Sequence, residues 1–274
     1  MKKTLKLTAL FAASALTLAS FANTTAAANQ AFSPAQVGDI QKIIHDYIIK
    51  NPNILVEASQ ALQTQMQAKQ VQAALSAIKQ NAVKLFNDPV TPVAGNASGD
   101  VSLVEFFDYQ CGHCKEMNPI VQGMVKKNSN LRVIFKELPI FGGNSQLAAK
   151  AALAAYSVDA TKYYALHDAL LAAENPMSDS KIFKAARDVG YSEEQIKAIK
   201  KDMDSAKVQQ ELKDNFQLAQ ALQLAGTPAF VIANKDLSQF RFIPGATSAQ
   251  DLQKQISDVQ AGKADAAQMP STSG

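Results

Sequence analysis

The feature that most narrows the fold is a pair of cysteines three positions apart, Cys111-Gly112-His113-Cys114, set just after an apolar run. Val101-Ser102-Leu103-Val104-Glu105-Phe106-Phe107 is mostly apolar, as a strand buried on both faces is. Asp108-Tyr109-Gln110, the cysteine motif and a helical stretch to about Lys127 follow. Leu131-Arg132-Val133-Ile134-Phe135-Lys136 then reads as a second strand. The motif therefore stands at the turn into the helix of a strand, helix, strand unit.

The chain begins Met1-Lys2-Lys3-Thr4-Leu5-Lys6, continues with an apolar stretch to about Leu18, and has no acidic residue before position 29. This pattern is that of a secretory signal peptide over residues 1–28, with cleavage after Ala22 or within Ala26 to Ala28. Loss of Lys2, Lys3 and Lys6 leaves 27 − 3 = 24 basic against 24 acidic residues. With no net charge and no long basic run, nucleic acid is not an expected partner. No later segment reaches about 18 consecutive apolar residues, so a soluble mature protein is expected. An exported chain this long buries a core without disulfide staples, so its only two cysteines need not be structural. Two cysteines and three scattered histidines fall short of a tetrahedral zinc site, and no cofactor or metal is expected beyond the cysteine pair itself.

Ahead of the motif lies a helical block. Ser33-Pro34-Ala35-Gln36 is a helix start, and Val37, Ile40, Ile43, Ile44, Tyr47 and Ile48 recur on one face. Asn51-Pro52 ends that helix. A second is predicted from Pro52 to about Phe86, about 50 Å long, with sparse apolar positions separated by glutamines. Residues 29–87 are thus expected to form an oligomerisation arm, most simply for a homodimer, with a trimer as the alternative. Residues 145–224 read as helical throughout. Phe230 to Ala233 and Phe240 to Ile243 return to strands, and residues 248 to 260 close with a helix. The expected organisation is an α/β domain formed by residues 88–144 and 225–262, interrupted by a helical insertion at 145–224, with a tail at 263–274 that lacks stable structure.

Thiol–disulfide exchange needs a thiolate to attack and a second thiol near enough to displace the mixed disulfide. At a helix N-terminus, unpaired backbone N–H groups and the macrodipole favour a thiolate on the first cysteine. Cys111 is then the exposed nucleophile and Cys114, one turn inside, the resolving thiol. His113 adds a donor or positive charge beside the thiolate, which makes the disulfide more oxidising. A structural disulfide or half a metal site are the competing readings of a lone C-x-x-C, and the strand-to-helix context disfavours both.

With Gly226-Thr227-Pro228-Ala229-Phe230 placed after the helical stretch, the chain resembles the thioredoxin-fold DsbA family over about residues 88 to 262. The resemblance implies a thioredoxin fold split by a helical insertion, with Pro228 as the cis-proline facing the sulfurs and Thr227 offering its backbone to an extended substrate. It also implies that Glu105 is the buried acid behind the motif, helping proton transfer from Cys114; Lys136 on the neighbouring strand is the candidate partner that such an acid needs. Gly112 stands where the oxidases of the family have proline and makes the motif that of protein disulfide isomerase. With the N-terminal helices, this resembles the oligomeric ScsC-like members and the outer-membrane-associated antigens related to them. The implied activity is a periplasmic protein disulfide oxidoreductase and isomerase acting on cysteine-containing exported proteins and served by a membrane redox partner. A reductase dedicated to one client, and a surface-interaction or chaperone protein on a redox fold, are the alternatives.

Overall fold

The computed structural model describes residues 32–263; the predicted leader and most of the predicted tail lie outside them. The chain divides into two compact units between Leu62 and Gln63. The first holds helix α1 (Pro34–Lys50), which starts on the expected capping box between Ser33 and Gln36, and the first part of α2 (Asn53–Gln80). No residue of α1 is buried.

The predicted second helix is broken at Asn81, whose side chain bonds the Ala77 carbonyl at 2.9 Å and leads into a short helix, α3 (Ala82–Phe86). Such side-chain competition for backbone acceptors is why asparagine favours helix ends. The second unit begins at Gln63, within the segment assigned above to the arm. Ala74, Leu75 and Ile78 of α2 and Leu85 and Phe86 of α3 are buried against Val104, Phe106 and Ile134. The end of the helical block thus belongs to the core of the second unit.

The remaining elements follow the expected order: β1 (Val93–Gly95), β2 (Val101–Phe107), α4 (Gly112–Lys127), β3 (Leu131–Glu137), then the insertion helices α5 (Gly143–Val158), α6 (Ala160–Ala172), α7 (Asp179–Asp188), α8 (Glu193–Asp202) and α9 (Ala206–Ala221), and finally β4 (Ala229–Asn234), β5 (Phe240–Ile243) and α10 (Ala249–Gln260). Among the described residues the strands form one sheet in the order β1-β3-β2-β4-β5. The β2–β3 pair is parallel, the crossover being α4, and the other pairs are antiparallel. This is the thioredoxin arrangement, with the insertion between β3 and β4.

All seven residues of β2 are buried, so both faces of the sheet must be covered. Leu103, Phe107, Val133 and Phe135 pack under α4, α10 and the insertion. Val104, Phe106 and Ile134 pack under α2, α3 and the end of α9. This alternation corrects the expected Glu105–Lys136 pair. Glu105 lies opposite Phe135, and Lys136 opposite Phe106, so the two side chains leave opposite faces of the sheet. Lys136 instead bonds Thr91 Oγ1 at 2.6 Å and lies 3.4 Å from Glu211 Oε1 and 3.7 Å from Asp88 Oδ2. Lys136→Met removes the only cation of this cluster and strands the buried Glu211. We expect a loss of about 3 kcal/mol in urea unfolding with unchanged thiol exchange, because the cluster and the motif lie on opposite faces.

Candidate active site

Strand β2 delivers the chain into Asp108-Tyr109-Gln110, and Cys111 becomes the N-cap of α4 with extended φ −72°, ψ 120°. Its N–H donates to the Asp108 carbonyl at 3.1 Å, and its carbonyl accepts from the Lys115 N–H at 3.1 Å. No side chain caps the helix and no acid occupies its first turn, which leaves donors and the positive end of the dipole at the motif. A Cβ at Gly112 would meet no atom within 4 Å.

Thr227 and Pro228 come to the same place. The Thr227–Pro228 peptide is cis, and Cys111 Sγ donates to the Thr227 carbonyl at 3.2 Å. The β2–β4 ladder sets this meeting: Phe106 pairs with Ala229, so the residues after β2 and those before β4 share one edge of the sheet. The Thr227 side-chain oxygen is buried at this place.

Both thiols are free. Cys111 is less open than expected, at 4% exposed, and Cys114 is fully buried. Burial holds the Cys114 thiol far above its ordinary value, so at neutral pH it carries its proton. His113 faces solvent. Its side chain is 72% exposed and its Nδ1 lies 3.0 Å from Glu116 Oε2, one turn along the helix surface.

Glu105 lies behind the motif, 1% exposed, and neither carboxylate oxygen has a hydrogen-bond partner among the described residues. Burial, and next the charge of Asp168, push its carboxyl up to about 8.

The structure adds residues that the sequence did not single out. Asp108 is buried, and its Oδ1 accepts from the Gln110 N–H and from Ser145 Oγ, both at 2.7 Å. Gln110 accepts from Asn175 Nδ2 at 2.8 Å and from the Met177 N–H at 3.1 Å. Lys115 donates to the carbonyls of Leu171 and Ala173 at the end of α6. The insertion therefore clamps the turn that carries Cys111. Deeper in, the hydroxyls of Tyr109 and Tyr163 donate to Glu137 Oε1 at 2.9 and 3.2 Å, beside His167. Burial lowers His167 to about 3, so its ring is neutral. Only their closeness to the motif in the chain hinted at Asp108 and Gln110, and the helical partners carry no local signature.

The Glu105 carboxyl makes a directional prediction. In the unfolded chain it titrates near 4.5 and in the fold near 8. Between those values the unfolded chain has released a proton that the fold retains, so stability falls as pH rises, by at most about 1.4 kcal/mol per pH unit. Urea unfolding of Glu105→Gln from pH 5 to 8 is expected to show a shallower fall than the parent, with the variant gaining relative stability toward pH 8.

Comparison with known proteins agrees with this geometry. Residues 102–257 match the DSBA-like thioredoxin domain, and residues 36–69 match the N-terminal domain of the copper resistance protein ScsC. The thiol:disulfide interchange protein DsbA of Bordetella pertussis is 27% identical over 146 residues, covering 53% of this chain and 68% of that protein. A Na(+)/H(+) antiporter, NhaA 1 of Salinispora arenicola, is 26% identical over 159 residues, a match spanning 53% of this chain but 22% of the antiporter. Among solved structures, BcfH of Salmonella enterica Typhimurium superposes with TM-score 0.71 at 30% identity, covering 82% of this chain and 96% of that one. Proteus mirabilis ScsC in a transitional conformation gives 0.60 at 28% identity, covering 85% and 98%. A thioredoxin-like oxidoreductase from Silicibacter pomeroyi gives 0.58 at 38% identity, covering 67% and 98%. The chain belongs to the DSBA-like thioredoxin family of thiol–disulfide oxidoreductases, with an ScsC-type segment at its N-terminus.

Proposed function

We propose that this protein works as an exported, periplasmic disulfide oxidoreductase with isomerase as well as oxidase capacity, acting on cysteines of exported proteins. The observation that carries the redox reading is the Cys111 Sγ to Thr227 carbonyl contact of 3.2 Å at the N-terminus of α4. It puts the sulfur beside backbone that an extended peptide can pair with, next to the cis Thr227–Pro228 bond.

In this reading the Cys111 thiolate attacks a client disulfide. The client S–S bond breaks, a Cys111–client S–S bond forms, and one client sulfur leaves as thiolate and takes a proton from water. As Glu105 gives up the proton it holds at neutral pH, Cys114 passes its own proton to Glu105 and attacks Cys111 Sγ. The Cys111–Cys114 disulfide forms and the second client sulfur leaves, so the client is reduced by two electrons and the motif oxidised by two. Run backward, the same steps oxidise a client dithiol. Isomerisation results when a client thiol, rather than Cys114, displaces Cys111. Oxidation requires a membrane partner to reoxidise the motif; isomerisation requires that it be kept reduced. The leader-like first 28 residues support export.

Isomerisation is favoured when the client is held while its cysteines rearrange, which a self-associated arm presenting several motifs achieves. Val37, Ile40, Ile43, Ile44 and Tyr47 are 37–67% exposed on α1, a stripe of the kind helices pair through. The test is the Ile43→Asp, Ile44→Asp double variant, assayed for molar mass by light scattering and for refolding of a scrambled-disulfide substrate. The expected result is a monomer that oxidises dithiols at the parent rate and keeps less than about a fifth of the isomerase activity. A monomeric parent, or a monomeric variant that isomerises equally well, would refute the role of the arm.

A further inference from the structure

We propose that Asp168, on helix α6 of the insertion, is a second proton carrier of the redox centre, passing to solvent the proton that Glu105 takes from Cys114. The proposal rests on the reading of Glu105 as the proton acceptor for Cys114 and extends it to a residue of a different structural element.

The placement comes from packing. Glu105 on β2 is paired directly with Phe135 on β3. Tyr164 of α6 stacks on the Phe135 ring, centroids 5.8 Å apart and planes 24° apart. Asp168 follows Tyr164 by one turn, on the same side of α6. From the other side comes α4, which brings Gln122 and Lys126 close to Asp168. Gln122 lies two helical turns after Cys114, with the buried Asn118 midway, so α4 runs over the acids from the motif outward.

Three of the four oxygens of these two carboxyl groups lack a hydrogen-bond partner among the described residues. Both Glu105 oxygens and Asp168 Oδ1 are buried without a hydrogen bond, a loss that a merely structural acid has no reason to sustain. Glu105 is 1% exposed, whereas Asp168 is half-buried. The charged and titratable groups facing the pair are Cys114 and Lys126 from α4 and Tyr163 and Tyr164 from α6. Burial is the main cause of the raised proton affinity in each case, Cys114 far above its ordinary value, Glu105 at about 8 and Asp168 at about 6; each transfer is uphill, and loss of the proton to water from Asp168, which is ionised at neutral pH, draws it outward. At neutral pH, Glu105 hands its proton to the ionised Asp168 as it accepts the one from Cys114, and Asp168 releases it to water. No net charge stays buried once Cys114 has closed the disulfide.

The test follows the full-length reduced protein reacting with glutathione disulfide. The first glutathione leaves when Cys111 attacks and the second when Cys114 resolves the mixed disulfide, and rapid acid quench separates the two. Asp168→Asn is expected to leave the first release unchanged and slow the second about tenfold between pH 6 and 8. The mixed disulfide should accumulate and the pH profile of the second step should shift, while Asp168→Glu restores rate and profile. Glu105→Gln, run alongside, tests the underlying reading. A slow second step in Glu105→Gln with parent-like Asp168→Asn overturns the relay and leaves Glu105 in place. Parent-like behaviour of both overturns the Glu105 reading and the relay together. Equal slowing of both steps in Asp168→Asn, or no rescue by Asp168→Glu, makes Asp168 a structural residue and overturns the proposal.

Discussion

The site depends on the antiparallel pairing of β2 with β4. That ladder opposes Phe106 and Ala229, and so fixes the turn after β2 beside the peptide before β4. Cys111 and Thr227 are 116 positions apart, yet no loop has to carry either across the molecule. The insertion enters and leaves on the same side of this pairing. It occupies the sequence between the two halves of the site without disturbing their register.

Position then divides the two cysteines, although both are nearly inaccessible. Cys111 sits at the end of a helix among donors and under a carbonyl, whereas Cys114 lies inside, where burial favours the neutral thiol. The difference between attacking and resolving thiol therefore follows from one turn of helix. The buried acid belongs to the same logic, because a thiol that must ionise in an apolar interior needs a proton acceptor nearby. The two faces of the sheet keep their charged groups apart: Glu105 and Asp168 lie on the motif side, and Lys136 with Glu211 on the other.

Much of this was legible in the sequence because it rests on local patterns. The apolar run of β2, the C-x-x-C at a strand-to-helix turn and the capping box of α1 each announce themselves over a few residues. The resemblance carried Thr227-Pro228 to their place. What was missed depends on long-range geometry. Period two along β2 and β3 separates Glu105 from Lys136, but only the observed register shows it. The break at Asn81 is a single side-chain bond inside a composition that otherwise favours helix. The burial of Leu75, Leu85 and Phe86 needs the uncovered face of the sheet, which sequence does not display. The contact of the His113 ring with Glu116, one turn on at the helix surface, was not anticipated. The clamp from Ser145 and Asn175 to the motif turn spans 35 to 65 positions and leaves no local trace.

The central claim is that Cys111 is the attacking thiol and Cys114 the protected one. The most direct measurement is alkylation of the fully reduced protein with limiting iodoacetamide at pH 6, followed by mass mapping of the modified cysteine. The account predicts modification confined to Cys111, with Cys114 reacting only after denaturation, because Cys114 is fully buried and burial keeps its thiol protonated. Equal modification of the two, or preferential modification of Cys114, would contradict it.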